Sequence, residues 1–515
     1  MAAYVKSVSS DNSALEQSVG WLRDNAPEMS AYRTFTHRQR WILAGCLAAM
    51  AAGLVANARV TIVVLNLLVT ALYVAAFAYK LLLARRALMH PPLVTVSDEE
   101  ALSLHASDLP PYTVLVAAYR EAGVIARTIK AIDALDYPRD RIEVLLLLEE
   151  DDAATIAAAE AAHSPAYMRV IRVPKAQPLT KPKACNYGLQ FASGQLVTIY
   201  DAEDRPESLQ LRRAVAAFRR MHWSVACLQA RLEYHNPKQN LITRLFTAEY
   251  LTWFSLLLPA LADRGGPVPL GGTSMHVKRI VVEAVGSWDP YNVTEDADLG
   301  IRLQRMGYRT AILDSVTYEE ANSDFVNWVK QRSRWYKGYL QTWLVHMRHP
   351  ALLRKQLGTE AFAAFTLTVG ATPLIAFLNP IFWALTILWF GTRANFIQPI
   401  FPPSVYYAGM FCMVFGNFIV IYLNAIAIRA TGRPELLGAV LLSPLYWIMM
   451  SVAAVKAFIQ LMVAPYFWEK TTHGLEPAKA ATGTGPVQFH SHAPEHGHGL
   501  GASNRSDREA AAVGQ

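Results

Sequence analysis

The chain has 515 residues, of which 53% are apolar and 17% charged, and it carries a formal net charge of +7 at pH 7. So large an apolar fraction calls for membrane segments, while a modest positive charge spread over so long a chain excludes nucleic-acid binding as its organising feature. The four cysteines, Cys46, Cys185, Cys227 and Cys412, show no C-x-x-C spacing and no disulfide framework, so no disulfide is expected and a reduced compartment fits.

Residues 1–40 are polar, show no cleavable signal pattern and read as a cytoplasmic lead-in. Two apolar runs follow, residues 41–57 and 60–83, separated only by Ala58 and Arg59, which reads as a membrane hairpin over 41–86. Arg33, Arg38 and Arg40 precede it and Lys80, Arg85 and Arg86 follow it, so positive-inside bias places both ends in the cytoplasm. From 105 to 345, short apolar runs alternate with amphipathic ones, the pattern of an α/β domain with a mainly parallel sheet. Strands are expected at 112–118, 142–148 and 196–200. They end, respectively, in Tyr119 and Glu121; in Glu149, Glu150, Asp151 and Asp152; and in Asp201, Glu203 and Asp204. Carboxylates thus recur at strand C-termini, where open α/β sheets bind ligands.

Asp201 and Glu203 offer hard oxygen ligands to a Mg²⁺ or Mn²⁺ that also holds a diphosphate, with Asp204 the alternative second ligand. The run K-P-K-A-C-N over 181–186, with Lys183 and Asn186, precedes that strand. A Gly-rich turn over 270–274 includes Gly272 and Thr273, where missing side chains let a ligand approach the backbone. The run N-V-T-E-D over 292–296 suits Asp296 as a general base; it also suits Thr294 as a helix cap ahead of an acidic first turn, and the two are compatible. A helix is expected over 325–344, with Trp328, Arg332, Trp335 and Tyr339 along one stripe and Gln331, Arg334 and Gly338 beside it. The forked guanidinium of Arg334 suits phosphate. A basic amphipathic helix lying on an anionic membrane surface is the alternative.

Gln331, Arg334 and Trp335 spell Q-x-x-R-W. Together with the strand-end acids, K-x-x-N, D-x-E, the Gly-rich turn and T-E-D in that order, they resemble the processive, membrane-bound family 2 glycosyltransferases, such as the cellulose, chitin, hyaluronan and curdlan synthases. The resemblance spans about residues 110–345. It implies an α/β GT-A domain, with a mixed and mainly parallel sheet, inserted between transmembrane helices. It further implies inverting transfer of a sugar, with glucose from UDP-glucose expected, onto a growing β-glycan that is exported across the membrane. By the same resemblance Tyr119 and Glu121, with Glu149 or Glu150, belong at the nucleotide base; Lys183, Asn186 and Arg334 at the diphosphate; Asp201 and Glu203 at Mg²⁺ or Mn²⁺; and Gly272, Thr273, Glu295 and Trp335 at the glycan acceptor. Asp296 is the implied base, with Asp201, Gln331, Arg334 and Trp335 completing the catalytic set. The chain departs from the family in carrying Asp-x-Glu for D-x-D and Glu-Glu-Asp-Asp for D-D-G. Single addition to a lipid-linked acceptor, or mannan synthesis from GDP-mannose, are the competing readings.

Three further apolar stretches, 361–390, 406–428 and 436–464, make a membrane region over 360–466, interrupted by Pro380, Pro444 and Lys456. Residues 468–474, within a segment 467–475, resemble the F-x-V-T-x-K-G gating loop of cellulose synthases, with Thr471 at the Thr position and His473 in place of Lys; this implies that Thr471 meets the nucleotide. Residues 476–515 are rich in Gly, Ala, Ser and His and are expected to be disordered. The expected setting is the inner membrane, multi-pass, with the catalytic domain cytoplasmic. The expected partners are a UDP-sugar, a glycan acceptor, lipid and accessory export proteins, with no nucleic acid.

Overall fold

The computed structural model describes residues 11–470. The expectations for Thr471, His473 and the tail from 476 onward concern residues outside that range.

The first strands are β1 Tyr112–Ala118, β2 Ile142–Glu149, β3 Met168–Val173 and β4 Leu196–Tyr200. Near-continuous apolar runs become the inner strands β1, β2 and β4, buried on both faces, while β3, at the sheet edge, keeps Arg169 and Arg172 exposed. The short β5 Arg205–Pro206, then β6 Val225–Tyr234, β7 Met275–Lys278 and β8 Arg309–Glu319 complete one sheet of order β3-β2-β1-β4-β7-β6-β8-β5. β1 runs parallel to β2 and β4, β2 to β3, and β6 to β8, while β7 is antiparallel to both β4 and β6. This is the mixed, mainly parallel sheet expected of a GT-A domain. Because β1 lies between β2 and β4, the chain leaves it in opposite directions and a crevice opens at the strand carboxyl ends.

Helix α1, Asp11–Asn25, lies against the domain, and α2, His37–Met89, forms the N-terminal apolar element. Its backbone breaks at Asn57, with φ −158° and ψ 89°. A Cβ built on Gly53 would lie 2.8 Å from Thr61 Oγ1, whereas residues eight apart in a straight helix stand about 12 Å apart. The two arms therefore fold back on each other. Both ends reach the domain: the Gln39 amide donates to Leu344 O at 2.7 Å, and Arg86 pairs with Asp263 at 2.5 Å.

Helix α3 is Lys181–Leu189, α4 Leu241–Asp263, α5 Glu295–Arg305 and α6 Phe325–His346; α7 Thr359–Thr392, α8 Pro403–Ala430 and α9 Ser443–Val463 follow. Helices α2, α4, α7, α8 and α9 are long and apolar enough to cross a membrane. Trp41, Val55 and Val463 stand 78%, 90% and 75% exposed, and an apolar belt of this kind needs lipid rather than water around it. The chain is membrane-associated. Helix α4 differs from the others in being largely buried: it lies between the sheet and the spanning helices, with Thr252 donating to Asn424 of α8 at 2.6 Å.

Candidate active site

A cavity of about 520 Å³ opens at the carboxyl ends of the strands. Asp201 and Glu203, on the loop after β4, line it. Asp204 turns inward, where its Oδ2 accepts from the Asp201 backbone N–H at 2.7 Å and from the Thr273 hydroxyl. The side chain left facing the cavity beside Asp201 is therefore Glu203; Asp204 and Thr273 fix the loop. Glu319, at the end of β8, also lines the cavity and had no sequence motif to announce it. Burial, and then the charges of their acidic neighbours, raise both Asp204 and Glu319 well above the ordinary carboxylate range. So dense a set of hard oxygens suits a divalent cation. Among the described residues no group of three or more His, Cys, Asp or Glu is arranged to hold one, so a metal here would take its remaining ligands from phosphate and water.

The two lysines of the K-P-K-A-C-N run part ways. Lys181 donates to Asp201 Oδ1 and, at 2.9 Å, to Gly272 O, and it lines the cavity. Lys183 is fully buried, 2.6 Å from Glu149 Oε2 and 3.1 Å from Pro174 O. The expectation that Lys183 meets the diphosphate is thus contradicted, and Lys181 is the lysine of this run that lines the cavity. Residues two apart on a helix are rotated by about 200°, so only one of the pair can face the crevice. Asn186 also points away, donating to Ser18 O at 3.0 Å and to Trp288 O at 2.7 Å. Lys183→Met is expected to lower stability by about 3 kcal/mol, since it strands a buried carboxylate. Lys181→Met should instead weaken donor binding with little change in Tm. Thermal unfolding and donor titration of the two variants check this.

At the ends of β1 and β2, Tyr119, Glu121 and Glu149 line the cavity. Burial pushes the Glu149 carboxyl up against the pull of Lys183. Glu150 lies outside, accepting from the Lys175 N–H at 2.6 Å, and Asp152 caps the helix that follows while accepting from the Arg120 N–H. Of the four acids from the last residue of β2 onward, only Glu149 lines the cavity. Arg120, beside Tyr119, holds a left-handed φ of 57°, the kind of backbone strain that clusters at functional loops.

Another wall of the cavity is made by α5 and α6. Gly272 has φ +85°, and a Cβ there would lie 3.1 Å from Asp296 Oδ2, so the Gly-rich turn faces that carboxylate. Glu295 and Asp296 open α5. Burial, with each other's charge added for Glu295, pushes Asp296 up to about 6 and Glu295 up to about 8. Both carboxyls are thus raised, and as neighbours they release their protons in steps that belong to the pair. Thr294 makes no cap hydrogen bond, contrary to the capping reading; its Oγ1 is buried without a partner and packs against α6.

That packing accounts for the one glycine inside α6. A Cβ on Gly338 would lie 2.3 Å from Thr294 Oγ1, so the two helices meet at van der Waals distance only because position 338 has no side chain. Gly338→Ala is expected to force α5 and α6 apart, destabilising the protein by about 1–3 kcal/mol and displacing Asp296 from Arg334. Thermal unfolding and turnover of that variant check it.

Helix α6 does not lie on a membrane surface: Trp328, Arg332, Ser333, Lys337 and Gly338 are buried. Arg332 forks onto Glu249, with Nη1 at 2.9 Å from Oε1, and its guanidinium sits 4.8 to 5.3 Å from the ring centres of Trp335, Trp328 and Phe246. Arg334 instead lines the cavity, its Nε has no hydrogen-bond partner, and its guanidinium lies 4.6 Å from the Trp468 ring centre. Gln331 and Trp335 line the cavity too, with Trp335 stacked against Tyr250 at 6.1 Å.

Residues 464–470 cross the cavity mouth. Lys337 donates to Phe467 O at 2.7 Å and Gln341 to Pro465 O at 2.9 Å, while Glu469 is held by Lys456 at 2.7 Å and Gln460 at 3.0 Å. Lys470 then reaches Glu121 at 3.3 Å and the Tyr119 carbonyl. Trp468 and Lys470, which belong to the segment resembling the gating loop, both line the cavity.

A second cavity, of about 1090 Å³, lies among α2, α4, α7, α8 and α9. It shares Lys80, Glu249, Trp253, Arg332, Tyr336 and Thr372 with the first. Its walls are mainly apolar and aromatic, Phe77, Phe382, Trp383 and Trp447 among them.

Residues 110–338 match the family model "Glycosyltransferase like family 2". The chain is 26% identical over 234 residues to a probable glycosyltransferase, YdaM, of Bacillus subtilis, covering 45% of this chain and 56% of that protein. It is 29% identical over 276 residues to a beta-monoglucosyldiacylglycerol synthase of a Nostoc species, covering 52% and 57%. The match thus spans just over half the length of these relatives. Among solved structures it is similar to the mannosyltransferase PcManGT of Pyrobaculum calidifontis, in complex with GDP-Man and Mn²⁺, with a TM-score of 0.49 and 20% identity, covering 75% of this chain and 98% of that one. Over the residues that match this family model, 110–338, the chain folds as a mixed, mainly parallel sheet with carboxylates at the strand ends.

Proposed function

We propose that the protein transfers one hexose, with inversion, from a nucleoside diphosphate sugar to a hydroxyl of a membrane lipid. The observation that carries this reading is the mainly apolar second cavity among the membrane helices, which shares a wall with the nucleotide cavity. A lipid could keep its tails there and present its head to Asp296. The relative named as a beta-monoglucosyldiacylglycerol synthase supports the same acceptor class. UDP-glucose is the first donor to test, and the catalytic domain belongs on the cytoplasmic side, where both ends of α2 carry arginines.

In this reading Tyr119 and Glu149 hold the base, while Lys181 and Arg334 face the diphosphate. Asp201 and Glu203 would hold a Mg²⁺ or Mn²⁺ ion, which when bound offsets negative charge on the leaving diphosphate. Asp296 takes the proton of the acceptor hydroxyl as its oxygen forms a bond to the anomeric carbon and the bond from that carbon to the diphosphate breaks. Trp335 and the Gly272 turn flank the acceptor.

A processive glycan synthase is the second reading. Arg59, near the tip of the α2 hairpin, and Lys80 both line the second cavity; with 1.5 Å per residue they are separated by about 30 Å, the thickness of a bilayer core. Purified protein in nanodiscs, given radiolabelled donor and mixed lipids, separates the two. Label confined to an organic-extractable monohexosyl lipid is expected, whereas alcohol-insoluble polymer would overturn the lipid reading in favour of the synthase.

A further inference from the structure

We propose that Lys80 selects the acceptor by its charge, and that the lipid accepted carries a phosphate in its head. This inference rests on the lipid-acceptor reading and names the lipid class. Lys80 lies on the second arm of α2 and lines both cavities, at the neck where a lipid head would pass from one to the other. No hydrogen bond or ion pair joins its ammonium to any described residue. The acid that shares the neck, Glu249, is already committed: its Oε1 accepts from Arg332 Nη1 at 2.9 Å, and its Oε2 accepts from the other Arg332 nitrogen and from the Tyr446 hydroxyl at 2.7 Å. Glu249 and Arg332 cancel, so the neck carries one uncompensated positive charge between apolar walls. Lys80 is exposed, so an anion entering the neck can reach its ammonium. A phosphodiester suits that place, since it brings one negative charge and several acceptor oxygens to a three-donor ammonium.

The diphosphate of the donor is served from elsewhere in the first cavity, by Lys181 beside Asp201 and by Arg334 under Trp468. Lys80 stands instead with Trp253, Leu367 and Thr372, which are common to both cavities. Its loss should therefore be read in the acceptor and not in the donor.

The test uses the full chain in micelles of a non-ionic, phosphate-free detergent, with labelled donor and either phosphatidylglycerol, which has a phosphate and free hydroxyls, or diacylglycerol, which has a hydroxyl and no charge. The native protein should prefer phosphatidylglycerol by about tenfold or more, as expected of one charge-assisted contact. Lys80→Ala should remove that preference through the acceptor KM, leaving the donor KM and diacylglycerol transfer in place, and Lys80→Arg should restore most of it. Phosphatidic acid, which has the phosphate but no glycerol hydroxyl to offer, should compete, whereas soluble glycerol 3-phosphate should not. Equal use of both lipids, or a change in donor KM alone, would overturn the role of Lys80 while leaving a lipid acceptor standing. Competition by soluble glycerol 3-phosphate as strong as by phosphatidic acid would overturn the lipid source of the phosphate. Polymer in place of monohexosyl lipid would remove the reading on which the inference rests.

Discussion

Asp296→Asn is expected to reduce sugar transfer by about 10²- to 10⁴-fold, the range over which a positioned general base contributes, while donor binding stays close to native. The amide keeps the shape of the carboxylate, so α5 and its contact with Gly338 should survive. Only the capacity to take the acceptor proton is lost. The native pH dependence gives an independent check. Because burial raises Asp296 to about 6, the base is ionised above that pH and protonated below it. The rate at subsaturating acceptor should therefore fall about tenfold per pH unit below about 6 and level off above it. Glu295 is raised as well, by burial and by the charge of Asp296, and Glu295→Gln should retain more activity than Asp296→Asn. A larger loss from Glu295→Gln than from Asp296→Asn would reverse the two assignments.

Asp201→Ala should abolish metal-dependent donor binding, measured by titrating UDP with and without Mn²⁺. Asp201 faces the cavity and is held by Lys181, so its removal takes away a hard ligand and leaves an uncompensated ammonium in the same place. Glu203→Ala should weaken Mn²⁺ binding without unfolding the protein, because the side chain faces the cavity. Asp204→Ala should behave differently. It releases the Asp201 N–H and the Thr273 hydroxyl that Asp204 accepts from, so the loop should loosen and Tm fall, with the effect on metal following from that. Equal and mild effects at all three positions would exclude a metal site on this loop.

Apolar runs of strand length, alternating with amphipathic ones, placed acids at the ends of β2 and β4, and the long apolar stretches marked most of the membrane helices. These are local properties, carried by periodicity over ten to twenty residues, and they survive folding because backbone hydrogen bonding and burial act on the same short range. The order of the motifs was legible for the same reason, since each is a short run at a strand end or helix start. The buried helix α4 escaped notice because its apolarity is that of a core element and its role depends on what lies on either side.

What the tertiary structure alone decided is which member of each local group reaches the cavity. Lys181 rather than Lys183, Glu203 rather than Asp204, and Glu149 rather than Glu150 face it because helix rotation and competing partners turn the others away. The K-P-K run looks the same whichever lysine is buried; only the carboxylate of Glu149, brought over by β2, fixes Lys183 inside. Arg332 and Arg334 are likewise alike in sequence, yet Glu249 from α4 and Tyr446 from α9 close around the first and leave the second to the cavity. Glu319, Lys80 and Lys470 join the same walls from β8, α2 and the segment after α9. Sequence determines the charges and the short-range frame that carries them. Their pairing is a matter of long-range packing, because a buried charge settles on whichever opposite charge the fold brings within a few ångströms, and no local spacing specifies that partner.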